Sequence, residues 1–302
     1  MSPSDPPAAM PSATSAAARR DRLLRNPLIR IVLALLAIAI PFATVAIPFN
    51  LYVSDKLLKK GGALVLTAII LVAYRTYVRR VERRSTTELS RVGAVRELCA
   101  GLVLGVALFS LTIGALMILG AYRITGTNGW VTMLATLPAF LLAAVLEEIL
   151  IRAIVFRILE QWLGSWIALA ASATLFGVLH LLTPGVTLLN ACAVMVEAGL
   201  LLAAAYMLTR RLWICIGFHF AWNFTEGGIF SAAVSGGTTS GLLQSTLVGP
   251  AWLTGGAFGA EASVVAVILC TGAGLLLLLA SRRQGHVIPP SWSGLPVALS
   301  VS

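Results

Sequence analysis

The sequence predicts an all-α, polytopic membrane protein with about eight transmembrane helices around a polar intramembrane cavity. Of its 302 residues, 58% are hydrophobic and only 11% are charged, whereas a soluble domain carries about 25% charged residues. The mean hydropathy is +0.92. A membrane span needs about 20 consecutive apolar residues, and most of the apolar runs along the chain reach that length.

Polar or basic segments separate the apolar runs, and each run predicts one helix. The predicted helices lie at residues 28–50, 61–78, 98–121, 130–158, 164–182, 186–208, 212–230 and 262–281. Together they define a transmembrane domain at 28–283, whose motif-bearing core is 130–230. We expect the basic N-terminal segment 1–27 and the proline-containing tail 284–302 to be disordered.

The first run follows an arginine cluster and carries Pro41 and Pro48. Because it is long for a signal peptide, we expect a retained signal-anchor helix, kinked near the prolines, although a cleaved signal stays open. With the N-terminus inside, only four of the 22 Lys and Arg residues lie outside, namely Lys56, Lys59, Lys60 and Arg123. This asymmetry predicts that both termini are cytoplasmic. We expect a multi-pass protein of the cell membrane, and the composition favours a bacterial inner membrane.

The net charge of +10 does not indicate a nucleic-acid partner. The arginines lie between the apolar runs, as topology signals do, and form no separate basic domain. The expected surroundings are therefore the lipid bilayer, and we expect no nucleic acid among the partners.

Three short motifs carry most of the polar chemistry inside the apolar runs. They are Glu147-Glu148-x-x-x-Arg152, Phe176-x-x-x-His180 and His219-x-x-x-Asn223. Ionisable side chains at membrane depth are costly and usually face the interior of a helix bundle, where they mark a functional site.

Helical spacing divides the first motif into two parts. Positions four apart share one face of a helix, so Glu148 and Arg152 should form an intramembrane ion pair. Glu147 points about 100° away and can face a cavity. We therefore expect a structural pair and a chemically active Glu147, although one structural network of all three residues stays open.

The two intramembrane histidines and the free carboxylate are sufficient to activate a water molecule. The carboxylate of Glu147 takes a proton from the water while His180 or His219 orients it. Asn223, one turn after His219, offers an amide donor for the oxyanion that forms on a peptide carbonyl.

Glu197 and Glu226 are further candidates, either as proton carriers or as protonated structural groups. A zinc site of two histidines and a glutamate also stays open, but His-Glu-x-x-His is absent and we favour water activation without a metal.

The three motifs, in this order on successive membrane helices, resemble those of the CAAX prenyl protease and bacteriocin-processing family, also called CPBP or Abi. The resemblance covers roughly residues 130–230, and the stretch 252–259 is similar to a segment of some bacterial members. It implies a glutamate-dependent intramembrane endopeptidase with eight helices around a polar cavity. The implied roles are base for Glu147, water partner for His180, oxyanion hole for His219 and Asn223, and structural positions for Glu148, Arg152 and Phe176.

The resemblance does not identify the substrate. Eukaryotic members remove a C-terminal tripeptide after a prenylated cysteine, whereas bacterial relatives are linked to bacteriocin maturation and self-immunity. We expect a peptide or protein that reaches the site from the membrane or the cytoplasm. The alternative from another class is a non-catalytic transporter or immunity scaffold that uses the same polar cavity for binding.

Overall fold

The computed structural model describes residues 24–293, so that residues 1–23 and 294–302, where most of the expected disorder falls, lie outside the described range. Helices account for 73% of the structure and there is almost no sheet, which confirms the all-α polytopic fold class. The helices and strands are α1 Pro27–Tyr52, α2 Lys56–Tyr77, α3 Ala94–Ile118, β1 Tyr122–Thr127, α4 Trp130–Leu134, α5 Leu137–Glu148, α6 Arg157–His180, α7 Leu188–Val194, α8 Leu201–Thr209, α9 Trp213–Asn223, β2 Leu243–Leu247, α10 Ala251–Thr254 and α11 Val264–Arg283.

Wider π-helical turns continue four of these helices without a break in the chain direction. They are Val78–Glu82 after α2, Ile149–Phe156 after α5, Met195–Leu200 after α7 and Phe224–Ile229 after α9. Two short 3₁₀ turns complete the helical structure, at Thr87–Leu89 and Ala260–Ala262. Such π turns are rare in helices and frequently occur at functional sites.

Five helices in the described part are long and apolar enough to cross a membrane. They are Pro27–Tyr52, Leu58–Glu82, Ala94–Ile118, Leu188–Thr209 and Val264–Arg283. The predicted count of eight is not confirmed, because the segments 130–158, 164–182 and 212–230 are helical but do not meet the same criteria. Two of these three are divided into shorter helices and π turns, and all three carry the motif side chains.

Local capping explains where the outer helices begin. Asn26 accepts hydrogen bonds from the N–H groups of Leu28 and Ile29, and Pro27 occupies the first helical position of α1. Ser263 accepts from the N–H of Ala266 at the start of α11. Helix α1 runs through both Pro41 and Pro48 without ending.

Close backbone packing places α9, which carries two of the motif side chains, against α3. A Cβ atom at Gly105 would lie 2.6 Å from the carbonyl oxygen of Phe218, and a Cβ at Gly217 would meet the carbonyl of Leu98. Small residues at such contacts allow membrane helices to approach closely. Glycines on both helices therefore help to determine the position of His219.

A buried ionic network joins α1, the turn after α2 and the start of α6 at one end of the bundle, which we call the basic end. Glu82 pairs with Arg30 at 3.1 Å, Arg84 at 2.6 Å and Arg157 at 2.8 Å. Glu88 pairs with Arg84 and Arg157 at 2.6 Å and 3.1 Å. Burial alone would lower the pKa of Arg84, but its hydrogen bond to Glu88 and the charges of Glu88 and Glu82 raise it.

The connections at the opposite end form a small antiparallel sheet that the sequence did not predict. Strand β1 pairs with β2, from Tyr122 with Leu247 to Thr127 with Leu243. The Tyr122 hydroxyl donates a 2.6 Å hydrogen bond to the carbonyl of Phe230. The sheet thereby ties the start of the long segment 231–260 to the end of α3.

Part of the tail that we expected to be disordered is attached to the bundle. The N–H of Ser165 donates to the carbonyl of Ile288 at 2.9 Å, and the N–H of Ile288 donates to the hydroxyl oxygen of Ser165 at 2.8 Å. Arg210 also donates to the carbonyl of His286. Residues 284–293 therefore pack beside the kink of α6 at Gly164, where φ is +79°.

Candidate active site

The buried pair predicted from helical spacing is at the centre of the site. Arg152 Nη1 donates to Glu148 Oε1 at 2.9 Å, and both side chains are 0% exposed. His219 Nδ1 lies 2.9 Å from the same carboxylate oxygen. A carboxylate oxygen can only accept, so His219 donates from Nδ1 and Glu148 bridges two motifs.

Arg152 also connects the first motif to the second. Its Nη2 donates to the carbonyl of Ala198 at 3.1 Å, and its guanidinium carbon lies 4.6 Å from the centre of the Phe176 ring. A cation over an aromatic face is attractive, and more so where water is excluded. Arg152 and Phe176 therefore support the buried carboxylate of Glu148.

Glu147 faces away from this scaffold, as the 100° helical rotation predicts. Its side chain is 36% exposed, and its Oε2 lies 3.7 Å from His219 Nε2. It lines an apolar cavity of about 520 Å³ together with Leu35 of α1, Val155, Leu179 and His180. Glu147 is thus the accessible carboxylate of the pair.

His180, the last residue of α6, lies between this cavity and a second, smaller one. Its Nδ1 lies 2.8 Å from the carbonyl of Phe176, so Nδ1 carries the proton and Nε2 is left for other partners. The rings of Phe176 and His180 have centroids 4.9 Å apart in an edge arrangement. A local hydrogen bond and ring packing therefore fix the orientation of His180.

The smaller cavity, which we call the chamber, has a volume of about 20 Å³ and is large enough for one water molecule. Its polar lining comes from four helical segments and one connection, and consists of His180, Glu197, His219, Asn223, Ser235 and Glu261. Within residues 24–293 the carboxamide of Asn223 has no hydrogen-bonding partner from the protein. The chamber brings together both motif histidines and Asn223.

Residues 128–225 match a family model described as Rce1-like, Type II CAAX prenyl endopeptidase Rce1-like. This match supports a relationship of residues 128–225 to the CAAX prenyl protease and bacteriocin-processing (CPBP) family. No curated protein and no solved structure matches the chain. The family match and the apolar helices support, in general terms, a multi-pass membrane protein of the CAAX-type intramembrane protease class that acts on a peptide or protein.

The side chains of all three CPBP motifs lie inside the matched range, but the chamber extends beyond it. Glu226 lies just past the match and is 0% exposed, and Glu261 is 5% exposed. Sequence analysis proposed Glu197 and Glu226 as candidates but missed Glu261. Glu261 could have been noticed from the sequence because it lies two residues after the stretch 252–259, which resembles a segment of bacterial CPBP members.

Three π turns coincide with polar positions of the site. Arg152 lies in the turn after α5, Glu197 in the turn after α7 and Glu226 in the turn after α9. A π turn widens the helix and changes the direction in which the following side chains point. The three turns therefore aim buried polar groups at one region between the helices.

The zinc alternative stays a prediction. Across the described ranges, no group of three or more His, Cys, Asp or Glu side chains is arranged to hold a metal ion. Of the candidate ligands, Glu147 Oε2 and His219 Nε2 lie 3.7 Å apart. Metal analysis of the purified protein decides this question.

Proposed function

We propose that the protein is a glutamate-dependent intramembrane endopeptidase in which Glu147 is the general base. The observation that carries this proposal is the position of Glu147, the one accessible carboxylate of a buried motif, in an apolar cavity shared with His180 and 3.7 Å from His219. General bases must reach the reacting water and change protonation without disrupting the fold. Glu148 cannot meet this requirement because it is buried in an ion pair.

In the proposed reaction, Glu147 takes a proton from a water molecule while the water oxygen adds to the scissile carbonyl carbon. His180, through its free Nε2, is the second group that orients this water. When the tetrahedral intermediate collapses, the C–N bond breaks and Glu147 returns the proton to the leaving nitrogen. This cycle consumes one water and leaves the enzyme unchanged.

The oxyanion of the intermediate needs hydrogen-bond donors, which Asn223 and His219 can supply. The amide of Asn223 is free to donate into the chamber. Because His219 already donates from Nδ1 to Glu148, its Nε2 donates only when the ring is an imidazolium. Glu147 and Glu148 flank the ring with negative charge, which favours that cationic form.

The large cavity suggests how a substrate reaches Glu147. Its walls are mostly aliphatic, including Leu35, Leu150, Val155 and Leu179, and they lie between α1 and the motif helices. Such a surface suits an apolar segment that arrives from the bilayer. We further propose that both termini are cytoplasmic, in the cell membrane, which follows from the Lys and Arg distribution.

The test compares N- and C-terminal peptides in membranes of cells that express the wild type or Glu147→Gln at matched abundance. We expect at least one new terminus with the wild type and none with Glu147→Gln. Glu97→Gln is the matched control, because the same chemical change occurs at a carboxylate that pairs with Arg211 away from the cavity. It should give the wild-type pattern.

Two outcomes would change the proposal. Identical termini for the wild type and Glu147→Gln, with both proteins folded, would favour the binding scaffold or transporter. Cleavage that stops after chelation and returns with zinc would favour the metal-dependent version of the protease.

A further inference from the structure

An apolar groove lies between α1 and α2, on the side of α1 that faces away from the large cavity. Leu35 of α1 lines the large cavity, whereas Ala37 and Pro41 of the same helix line the groove. Positions two apart are rotated by about 200° around a helix, so the two spaces lie on opposite sides of α1. The groove has a volume of about 590 Å³, within the range of about 300–1,000 Å³ that ligand sites occupy.

Helical spacing of small and branched side chains forms the walls of the groove. Val65, Ala68 and Val72 of α2 repeat at intervals of three and four and therefore form one stripe along the helix. Ala37 and Pro41, four positions apart, form the opposite wall on α1. Val65 and Val72 are 56% and 63% exposed, so the groove opens towards the bilayer.

Contacts towards both ends of the groove hold the two helices together. At the basic end, the Tyr77 hydroxyl donates a 3.0 Å hydrogen bond to the carbonyl of Arg30, and Glu82 pairs with Arg30 at 3.1 Å. Towards the other end, a Cβ atom at Gly62 would overlap the ring of Phe49, because α1 and α2 are in close contact there. The walls of the groove are therefore fixed by contacts that do not involve an occupant.

Arginines surround the groove at the basic end. Residues 75–84 contain five arginines and one glutamate, a net charge of +4. That glutamate, Glu82, is already paired with three arginines outside the groove. Arg80 lines the groove and is exposed, and within residues 24–293 it has no ion-pair partner. The groove thus combines an apolar surface with an unpaired cation at one end.

We propose that the groove binds one anionic phospholipid, with an acyl chain along the α2 stripe and the phosphate at Arg80. At about 1.5 Å per residue, the helix from Val65 to Arg80 spans roughly 22 Å, and one leaflet with its headgroups is about 20–22 Å thick. Basic pockets between membrane helices bind anionic headgroups on the cytoplasmic side, and the proposed topology puts the basic end on that side. Because the groove is separate from the large cavity, lipid binding there does not depend on proteolysis.

Charge favours this occupant over two others. A zwitterionic phospholipid offers the same chains, but its ammonium group compensates the phosphate and weakens the attraction to Arg80. A second copy of this chain in the same membrane would have the same orientation, so that the two basic ends would lie side by side and repel each other.

The test is native mass spectrometry of the purified full-length protein in micelles that contain equal amounts of phosphatidylglycerol and phosphatidylcholine with identical acyl chains. We expect the wild type to retain one phosphatidylglycerol in preference to phosphatidylcholine. Arg80→Gln should reduce the ratio of bound phosphatidylglycerol to bound phosphatidylcholine about fivefold, which is the effect of one basic residue near an anionic lipid. Arg283→Gln makes the same change at an exposed arginine of α11 and should leave the ratio within about twofold.

A second pair of variants tests the apolar part of the site. Ala68→Phe places a ring in the groove and should lower the amount of bound phosphatidylglycerol by a similar factor. Ala107→Phe makes the same change on α3 and should not lower it. Both alanines are exposed, so neither variant should overpack the core.

Three results would overturn the proposal. Equal retention of the two lipids by the wild type, or equal losses in Arg80→Gln and Arg283→Gln, would mean that lipids respond only to the overall charge. Unchanged lipid binding in Ala68→Phe would exclude the groove as the site of the acyl chain. A dimer that Ala68→Phe dissociates would instead identify the groove as an interface between copies of this chain. None of these readouts involves cleavage, so a failure of the protease proposal would be seen separately, in the comparison of peptide termini.

Discussion

Replacing Arg152 by Met should destabilise the protein strongly, whereas replacing Glu147 by Gln should not. Arg152→Met removes the 2.9 Å ion pair with Glu148, the 3.1 Å hydrogen bond to Ala198 and the contact over the Phe176 ring. Glu148 would then be a fully buried carboxylate with His219 as its remaining partner, because its Oε2 has none among residues 24–293. Both variants keep a side chain of similar size, so the comparison concerns charge more than volume.

The size of the effect follows from the burial of the pair. Removing one partner of a buried ion pair costs about 3–5 kcal/mol because the other charge stays in a region of low polarity. The hydrogen bond that His219 retains to Glu148 places the expectation near the lower end, at about 3 kcal/mol. Glu147 is 36% exposed, so Glu147→Gln should change the free energy of unfolding by no more than about 0.5 kcal/mol.

The assay is reversible unfolding in mixed micelles, titrated with sodium dodecyl sulfate and followed by tryptophan fluorescence. The double variant Glu148→Gln/Arg152→Met removes both charges and should recover part of the loss. The reasoning would be refuted if Arg152→Met were within about 1 kcal/mol of the wild type. It would also fail if the double variant were no more stable than Arg152→Met alone.

Three further expectations concern packing and cofactors. Gly105→Val should cost about 1–3 kcal/mol in the same unfolding titration, because its Cβ would lie 2.6 Å from the Phe218 carbonyl, whereas Gly114→Val, with no atom within 4 Å, should be neutral. Gly255→Ala should lower the free energy of unfolding by at least about 1 kcal/mol, because φ is +77° and the Cβ would meet the Gly259 backbone. Dialysis of the purified protein against a chelator should leave both its unfolding midpoint and its cleavage products unchanged, as measured before and after metal analysis.

Sequence reasoning reached the parts of the site that depend on local helix geometry. The spacing of Glu148 and Arg152 predicts their ion pair, and the rotation between adjacent positions predicts that Glu147 faces elsewhere. Both features appear in the structure at 2.9 Å and 36% exposure. They follow from the 3.6-residue period and need no knowledge of neighbouring helices.

Features that depend on contacts between distant segments could not be predicted from one sequence. Strands β1 and β2 are more than 100 residues apart, and neither run is long or strongly alternating. Glu261 was not singled out, because its burial results from contacts with Ser235 and Glu226, which are distant in sequence. The predicted count of eight spans stays unconfirmed, because five helices of the described part are long and apolar enough to cross a membrane and the motif helices are interrupted by π turns or a kink.

His219 links the two functions of the Glu147–Glu148 pair. Through Nδ1 it belongs to the buried network of Glu148 and Arg152, and through Nε2 it approaches the accessible Glu147. The network holds the ring in one orientation, so that Nε2 points towards Glu147. A rigid ion pair therefore does more than stabilise the helices, because it determines where the proposed oxyanion donor stands relative to the proposed base. The two adjacent glutamates therefore have different environments: Glu148 is buried in an ion pair, and Glu147 is accessible from the large cavity.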